Sequence, residues 1–216
     1  MAADPSYDLA VVGGGIIGMA CALAAARRGK RVVVIDRDAQ ANGASIRNFG
    51  FVTVTGQARG NMWARAHRSR EIWDEVAAQA GIPILHRGLM MTARRPEAVA
   101  VLEAFLGTEM GEGCRLLSPG EARREAPYLA GEALLAALWS PHDLRVESRE
   151  AIPRLATWLQ ARHGVDFRWG EAVLSVETGK VVTTHGEISA GGVAVCPGDD
   201  LFTLFPDRVA AASVTR

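Results

Sequence analysis

The chain has 216 residues, long enough for one full core or for one domain carrying an insertion. Its 24 Lys and Arg balance 24 Asp and Glu, so net charge gives no pull toward nucleic acid or an anionic membrane. Hydrophobic content of 49% and charged content of 22% are ordinary for a globular protein.

The three cysteines, Cys21, Cys114 and Cys196, are scattered and lack CxxC spacing, so the sequence predicts no metal site and a reducing compartment, with the cytoplasm as default. No apolar run reaches about 18 residues without a glycine or a charge, so no membrane span is expected. The N-terminal MAADPSYD is acidic rather than basic, unlike a secretory signal.

Leu9–Val12 is a short apolar run, as expected for a strand buried on both faces. Gly13-x-Gly15-x-x-Gly18 follows at once, with Gly14 and Ile17 between the glycines. Gly13 permits a tight turn, Gly15 lets the backbone approach a pyrophosphate, and Gly18 lets the next helix pack close to the sheet. That helix, from about Ile16 to Arg28, is alanine-rich and aims its N-terminal amides and positive dipole end at the phosphate. Gly29 is placed as its C-cap. Arg31–Ile35 is a second strand, and Asp36 at its end can accept hydrogen bonds from ribose hydroxyls. Strand, glycine turn, helix, strand and terminal acid in one register predict a dinucleotide site. The loop Arg37–Phe49 then holds the small, polar Gly43-Ala44-Ser45 and the donor-rich Arg47-Asn48. Such a loop can return toward the pyrophosphate, Ser45 donating to phosphate and Arg47 or Asn48 facing the reactive ring.

Periodicity predicts a helix over Gln57–Ala80, broken by Gly81-Ile82-Pro83. Short strands at Ile84–Leu85 and Leu89–Thr92 flank an expected turn at Arg87-Gly88. Pro96–Leu106 reads as a helix. Ser118-Pro119-Gly120-Glu121 is a capping box with proline at the first helical position. Leu134–Trp139 reads as a strand, Ser140–Asp143 as a turn, and Glu147–His163 as a helix with Pro153 in its first turn. Val165–Trp169, Ala172–Glu177, Lys180–Thr184 and Gly186–Ser189 read as short strands, and Gly192–Cys196 as a buried strand ending in Pro197-Gly198. The expected organisation is a split α/β domain, 1–56 with 147–200, interrupted by a segment at 57–146 and followed at 201–216 by the start of a further part.

The segment Val11–Asp38, with Gly43–Ser45, the strand Ala172–Glu177 and Ala194–Gly198, resembles FAD-dependent amine and amino-acid oxidoreductases of the D-amino-acid oxidase, glycine oxidase and sarcosine oxidase type. Within that group, Gly43–Gln57 resembles a bacterial subgroup linked to aminophosphonate breakdown. The resemblance implies a Rossmann-like FAD/NAD(P)-binding three-layer fold with an inserted, incomplete α+β substrate domain. It implies that Gly13, Gly14, Gly15, Ile17 and Gly18 cradle the pyrophosphate of FAD and that Asp36 binds the adenosine ribose. Arg37 would sit beside the adenine edge, and Gly43, Ala44, Ser45 and Asn48 near the phosphates. Val173 would meet adenine through its backbone, and Gly198 would close the site.

The chemistry implied is oxidation of the C–N bond of a small amine, amino acid or aminophosphonate by hydride transfer to flavin, the imine then hydrolysing. Arg47 is the candidate for an anionic substrate tail and His142 for a pocket wall. His67 and His185 read as structural or surface residues and His86 as a weak pocket candidate. No catalytic residue is assigned, and no Ser/His/Asp or Cys/His set is expected. The family's glycine-rich last element has no counterpart in this sequence, so the chain reads as an N-terminal portion. A catalytically incomplete fragment, self-associating through the surface left by a missing part, is therefore the alternative. An NAD-dependent dehydrogenase is the other, disfavoured by the GGG turn, the loop after Asp36 and the late AVCPG strand.

Overall fold

A computed structural model of the protein describes residues 7–129 and 133–211. The chain divides into two compact units, Met1–Asn48 with Gln79–Ile82 and Ser148–Arg216, and Phe49–Ala78 with Pro83–Glu147. The first crossing falls after Asn48 rather than at residue 56, because Phe51–Val52 pairs inside the second unit's sheet. The expected start of a further part is described only as far as residue 211; residues 212–216 lie outside the described residues, as do residues 1–6 of the acidic N-terminus.

In the first unit, β1 (Leu9–Val12) leads through α1 (Ile16–Ala26) into β2 (Val32–Asp36). Branched apolar residues fill both strands: Ala10, Val11 and Val32 to Ile35 are fully buried. Gly29 N–H donates to Ala26 O and Lys30 N–H to Ala25 O, the Schellman arrangement that ends α1. A 3₁₀ turn at Ala44–Ile46 follows, and the chain then leaves for the second unit.

The second unit opens with β3 (Phe51–Val52) and α2 (Asn61–Ala80). The expected strand pair at Ile84–Leu85 and Leu89–Thr92 is one continuous strand, β4 (Ile84–Ala93). Next come α3 (Pro96–Leu106), β5 (Arg115–Leu117), α4 (Pro119–Glu125) and β6 (Ala136–Val146). Strand β6 pairs antiparallel with β4, β5 and β3, so it is the spine of this sheet. The expected turn Ser140–Asp143 therefore lies inside β6. Opposite it, the register passes from Leu89↔Ser140 to Arg87↔Leu144, so Pro141 to Asp143 bulge out against Gly88 alone. Turn-forming residues here serve a bulge, and Pro141, which has no N–H, sits where no ladder bond is required.

The capping box forms as read: Glu121 N–H donates to Ser118 Oγ at 3.3 Å, and Ser118 N–H donates to Glu121 Oε2 at 2.8 Å. Ser118→Ala is expected to lower the thermal midpoint by about 2–4 °C, read by circular dichroism.

Back in the first unit, α5 (Ser148–His163) leads to β7 (Asp166–Trp169). Pro153 is inside the helix, in its second turn rather than its first, and the helix continues past it with one backbone donor missing. Then β8 (Val173–Glu177), β9 (Lys180–Thr183) and β10 (Gly186–Ser189) form an antiparallel meander, followed by β11 (Val193–Val195) and α6 (Pro206–Ala211). Strands β11, β1, β2 and β7 make one parallel sheet in that order. Helices α1 and α5 pack together and cover one face. On the other, Ala10, Val33 and Ile35 bury against Val181, Ile188 and Ala190 of the meander. This is the three-layer arrangement of a dinucleotide-binding α/β fold, and it sets the strand ends of β1, β2, β7 and β11 side by side.

Candidate functional site

The site forms where β1 turns into α1. Gly13 has φ +102, and a Cβ on it would lie 2.2 Å from the Cys196 carbonyl oxygen at the end of β11. A Cβ on Gly18 would lie 1.9 Å from Gly13 O, so this glycine is what lets α1 seat directly on the turn. A Cβ on Gly14 would meet the Trp169 ring at 2.6 Å, and one on Gly15 would meet Ser45 Oγ at 3.0 Å. Every glycine of the motif thus faces a close neighbour, and the turn packs tightly as bare backbone.

Three side-chain interactions hold that turn. Gly14 N–H donates to Asp36 Oδ2 at 2.7 Å, and Asp38 N–H donates to Asp36 Oδ1 at 2.9 Å. The acid that ends β2 therefore fixes the turn and still has lone pairs for further donors. Ile16 N–H donates to Ser45 Oγ at 3.0 Å. Gly15 is the N-cap and brings no side chain, so Ser45 caps the helix from the loop. The remaining first-turn amides have no intrahelical acceptor, and Ile17 beside them is 65% exposed.

The loop that delivers Ser45 is locked in turn. Asn48 Nδ2 donates to Ala44 O and Ser45 O, both at 2.9 Å, and Ser148 Oγ donates to Asn48 O at 2.9 Å. Gly43 is the cap residue that opens this 3₁₀ turn. Arg47 follows the turn with its side chain exposed. Arg37 reaches Asp200 at 2.5 Å, and that partnership raises the Arg37 pKa above its ordinary value. Val173 opens β8 opposite Thr183. Gly198 lies just beyond β11.

His142, in the second unit, is a strand residue rather than a turn residue. Its Nε2 lies 2.6 Å from Glu112 O, and its ring packs on His67 at 5.6 Å between centroids. His67 is also paired with Glu71 and His185 with Glu171.

Cys196 brings no nucleophile to the turn. Burial, with the neighbouring Cys21 thiol, pushes its pKa up to about 11, so it remains protonated near neutral pH. Among the described residues no group of His, Cys, Asp or Glu is arranged to hold a metal ion. Among them, too, no helix is long and apolar enough to cross a membrane.

Sequence reasoning missed two neighbours of the turn, the Cys196 carbonyl and Trp169. Trp169 ends β7 in register with Asp36, which ends β2. The available signal was Trp169-Gly170 closing a strand at the same level as the acid.

Residues 8–209 match the family described as DAO, FAD dependent oxidoreductase. Glycine oxidase of Geobacillus kaustophilus is 28% identical over 205 residues, 89% of this chain and 54% of that protein. The mitochondrial L-2-hydroxyglutarate dehydrogenase of Caenorhabditis elegans is 27% identical over 232 residues, 97% of this chain and 50% of that protein. The crystal structure of the Geobacillus kaustophilus glycine oxidase superposes with a TM-score of 0.77 at 27% identity, covering 95% of this chain and 58% of that one. The chain spans about half the length of the curated relatives it matches.

Proposed function

The chain belongs to the DAO family of FAD-dependent oxidoreductases, and from that premise we propose that it holds the ADP portion of FAD for the oxidation of a small amino acid or aminophosphonate. The observation that carries this reading is the cluster at the first turn. A bare glycine turn, a helix start capped from outside by Ser45 and an acid at the end of β2 meet within one hydrogen-bonded unit. The fit to the cofactor rests on backbone. Side chains at Gly13, Gly14, Gly15 and Gly18 would run into Cys196 O, the Trp169 ring, Ser45 Oγ and Gly13 O, so the turn can close only with glycine, and a tight turn leading into a helix N-terminus suits a pyrophosphate.

In this reading the turn of Gly13, Gly14, Gly15, Ile17 and Gly18 lines the diphosphate; Gly13 N–H is spent on Ile35 O and Gly14 N–H on Asp36, so the amides offered are those from Gly15 onward, and Ser45 with Gly43, Ala44 and Asn48 walls the site. Asp36 accepts from ribose hydroxyls while still holding the Gly14 amide. Arg37, Val173 and Gly198 border the adenosine side and the closing turn. Bound flavin would accept the hydride from the carbon next to the substrate nitrogen. Arg47 would pair with the carboxylate or phosphonate of the substrate, its guanidinium fork matching either group. His142, its Nε2 already at Glu112 O, would serve as wall and not as base. The glycine oxidase relative supports an amino-acid substrate. Three free cysteines support a cytoplasmic setting.

The test is to saturate the purified chain with FAD, remove free flavin, and add glycine or an aminophosphonate without oxygen. Retained flavin absorbance that bleaches with either amine is the expected result, and Arg47→Ala should raise KM for the anionic substrate more than it lowers kcat. Retained flavin that no amine bleaches would leave the dinucleotide site standing and overturn the activity. Failure to retain flavin would overturn both. An incomplete fragment that keeps only partial dinucleotide binding predicts the second outcome.

A further inference from the structure

We infer that Cys21 and Cys196 are a reversible disulfide site, closed by hydrogen peroxide, whose closure strains the glycine turn and weakens dinucleotide binding; the second half of this inference rests on the dinucleotide reading above. Gly13 is held between two neighbours. A Cβ on it would lie 2.2 Å from Cys196 O, and a Cβ on Gly18 would lie 1.9 Å from Gly13 O. Cys21 comes three residues after Gly18 in α1, so it shares the helix face that seats on this turn. Cys196 directly follows β11, and its N–H donates to Val12 O at 2.7 Å. Helix and strand end thus bring together two residues 175 positions apart in the sequence. Their thiols are hydrogen-bond partners. Cys114, in the second unit, has the Ser140 hydroxyl as its partner instead.

Cys21 and Cys196 are half-buried and carry free thiols. Cys21 also lines an open cleft of about 660 Å³ with Leu9, Arg28, Lys30 and Ala194, ample room for a small oxidant. Cys21 is therefore the sulfur that a peroxide meets first. Its sulfur attacks one peroxide oxygen, the O–O bond breaks, and the departing hydroxide takes the Cys21 proton as water, leaving a sulfenic acid. The Cys196 sulfur then attacks the Cys21 sulfur. The S–O bond breaks, and the second hydroxide leaves as water with the Cys196 proton. Two thiols have lost two electrons and two protons, and the peroxide has become two waters. Burial, with Cys21 beside it, pushes the Cys196 thiol up to about 11, which suits it to this second role because its proton stays until a leaving hydroxide can accept it. A disulfide draws the two sulfurs to about 2.05 Å, well inside a hydrogen-bond contact. The contacts at Gly13 and Gly18 leave the turn no slack. Closure therefore shifts the start of α1 against β11 and moves the helix amides off the position that a pyrophosphate needs.

The experiment treats the purified chain, Cys21→Ser, Cys196→Ser and Cys114→Ala with hydrogen peroxide, then counts thiols, weighs the intact chain and maps its peptides. ADP is titrated by calorimetry into the reduced and oxidised wild type. Wild type and Cys114→Ala should each lose two thiols and two hydrogens and yield one peptide linking Cys21 to Cys196 within the same chain. Cys196→Ser should instead retain added oxygen on Cys21. Oxidised wild type should bind ADP about three- to thirtyfold more weakly, and dithiothreitol should restore the affinity. Wild type that keeps all its thiols, or that gains oxygen on Cys21 with no link to Cys196, would overturn the disulfide site. A link that leaves ADP affinity unchanged would overturn its effect on the turn. A link formed in a chain whose reduced form binds no ADP would overturn the dinucleotide reading and leave the disulfide site standing.

Discussion

Gly13→Ala is expected to abolish dinucleotide uptake and to destabilise the first unit. Two independent costs arise at this position. The φ of +102 is a backbone conformation that an L-residue with a Cβ rarely adopts, at roughly 1–3 kcal/mol. The new methyl would also stand 2.2 Å from the Cys196 carbonyl oxygen and 2.9 Å from its carbon, both backbone atoms of the residue that follows β11, so no side chain can rotate away. Either the turn lifts off β11 or the strand shifts, and both move Gly14 N–H away from Asp36. Retention of ADP or FAD should fall on the order of a hundredfold or more, since about 3 kcal/mol of distortion falls on the bound geometry. The thermal midpoint should fall by about 5–15 °C. Gly120→Ala is the control. That glycine lies in α4, where a Cβ meets nothing closer than Arg124 Nη1 at 3.8 Å, and alanine there should be neutral or slightly stabilising. Undiminished nucleotide binding by Gly13→Ala would sink the assignment of this turn as the cradle.

Asp143→Ala is expected to be strongly damaging to the second unit. Asp143 is 4% exposed, and the neighbouring Ser140 is 0% exposed. Its Oδ1 accepts from Val54 N–H at 2.8 Å and from Thr55 N–H at 3.2 Å, and the Thr55 hydroxyl donates to its Oδ2. The Thr55 oxygen also lies 2.7 Å from Ser140 Oγ. Alanine would leave two amides and a hydroxyl without their acceptor, at about 1–3 kcal/mol for each buried group. With partial rescue by water, a net loss of roughly 2–4 kcal/mol is expected, a fall of about 5–15 °C in the midpoint. Asp143→Asn should cost less, because the amide oxygen keeps an acceptor for Val54 and Thr55 while its nitrogen cannot accept from the Thr55 hydroxyl. Thermal unfolding of the three proteins checks the order. Equal midpoints for wild type and Asp143→Ala would show that this bulge tolerates an empty centre.

The bulge also shows what local chemistry can and cannot tell. Ser140-Pro141-His142-Asp143 carries every mark of a turn, and Arg87-Gly88 carries another. Each is a place where a strand departs from regular pairing, and the two departures oppose one another across β4 and β6. Residue preference reports that regular pairing stops; it does not report whether the chain reverses. By contrast, Gly29 and Ser118 were read correctly because a cap is satisfied within a few residues of itself, as the bonds from Gly29 to Ala26 and between Ser118 and Glu121 show.

The same division runs through the candidate site. The glycine turn, the helix after it and Asp36 at the end of β2 are all legible in about thirty consecutive residues, because a βαβ unit closes its own register. By itself the sequence determined the glycine turn, the three-layer class of the fold and its family. Only the tertiary structure decided what stands against the turn. Trp169 and Cys196 arrive there from 133 and 160 residues beyond Asp36, at the ends of the strands that flank the first two, Trp169 closing β7 and Cys196 directly following β11. Their place depends on strand order in the sheet, which is set by burial of β1 and β2 between the helices and the meander, and no local pattern of residues encodes it.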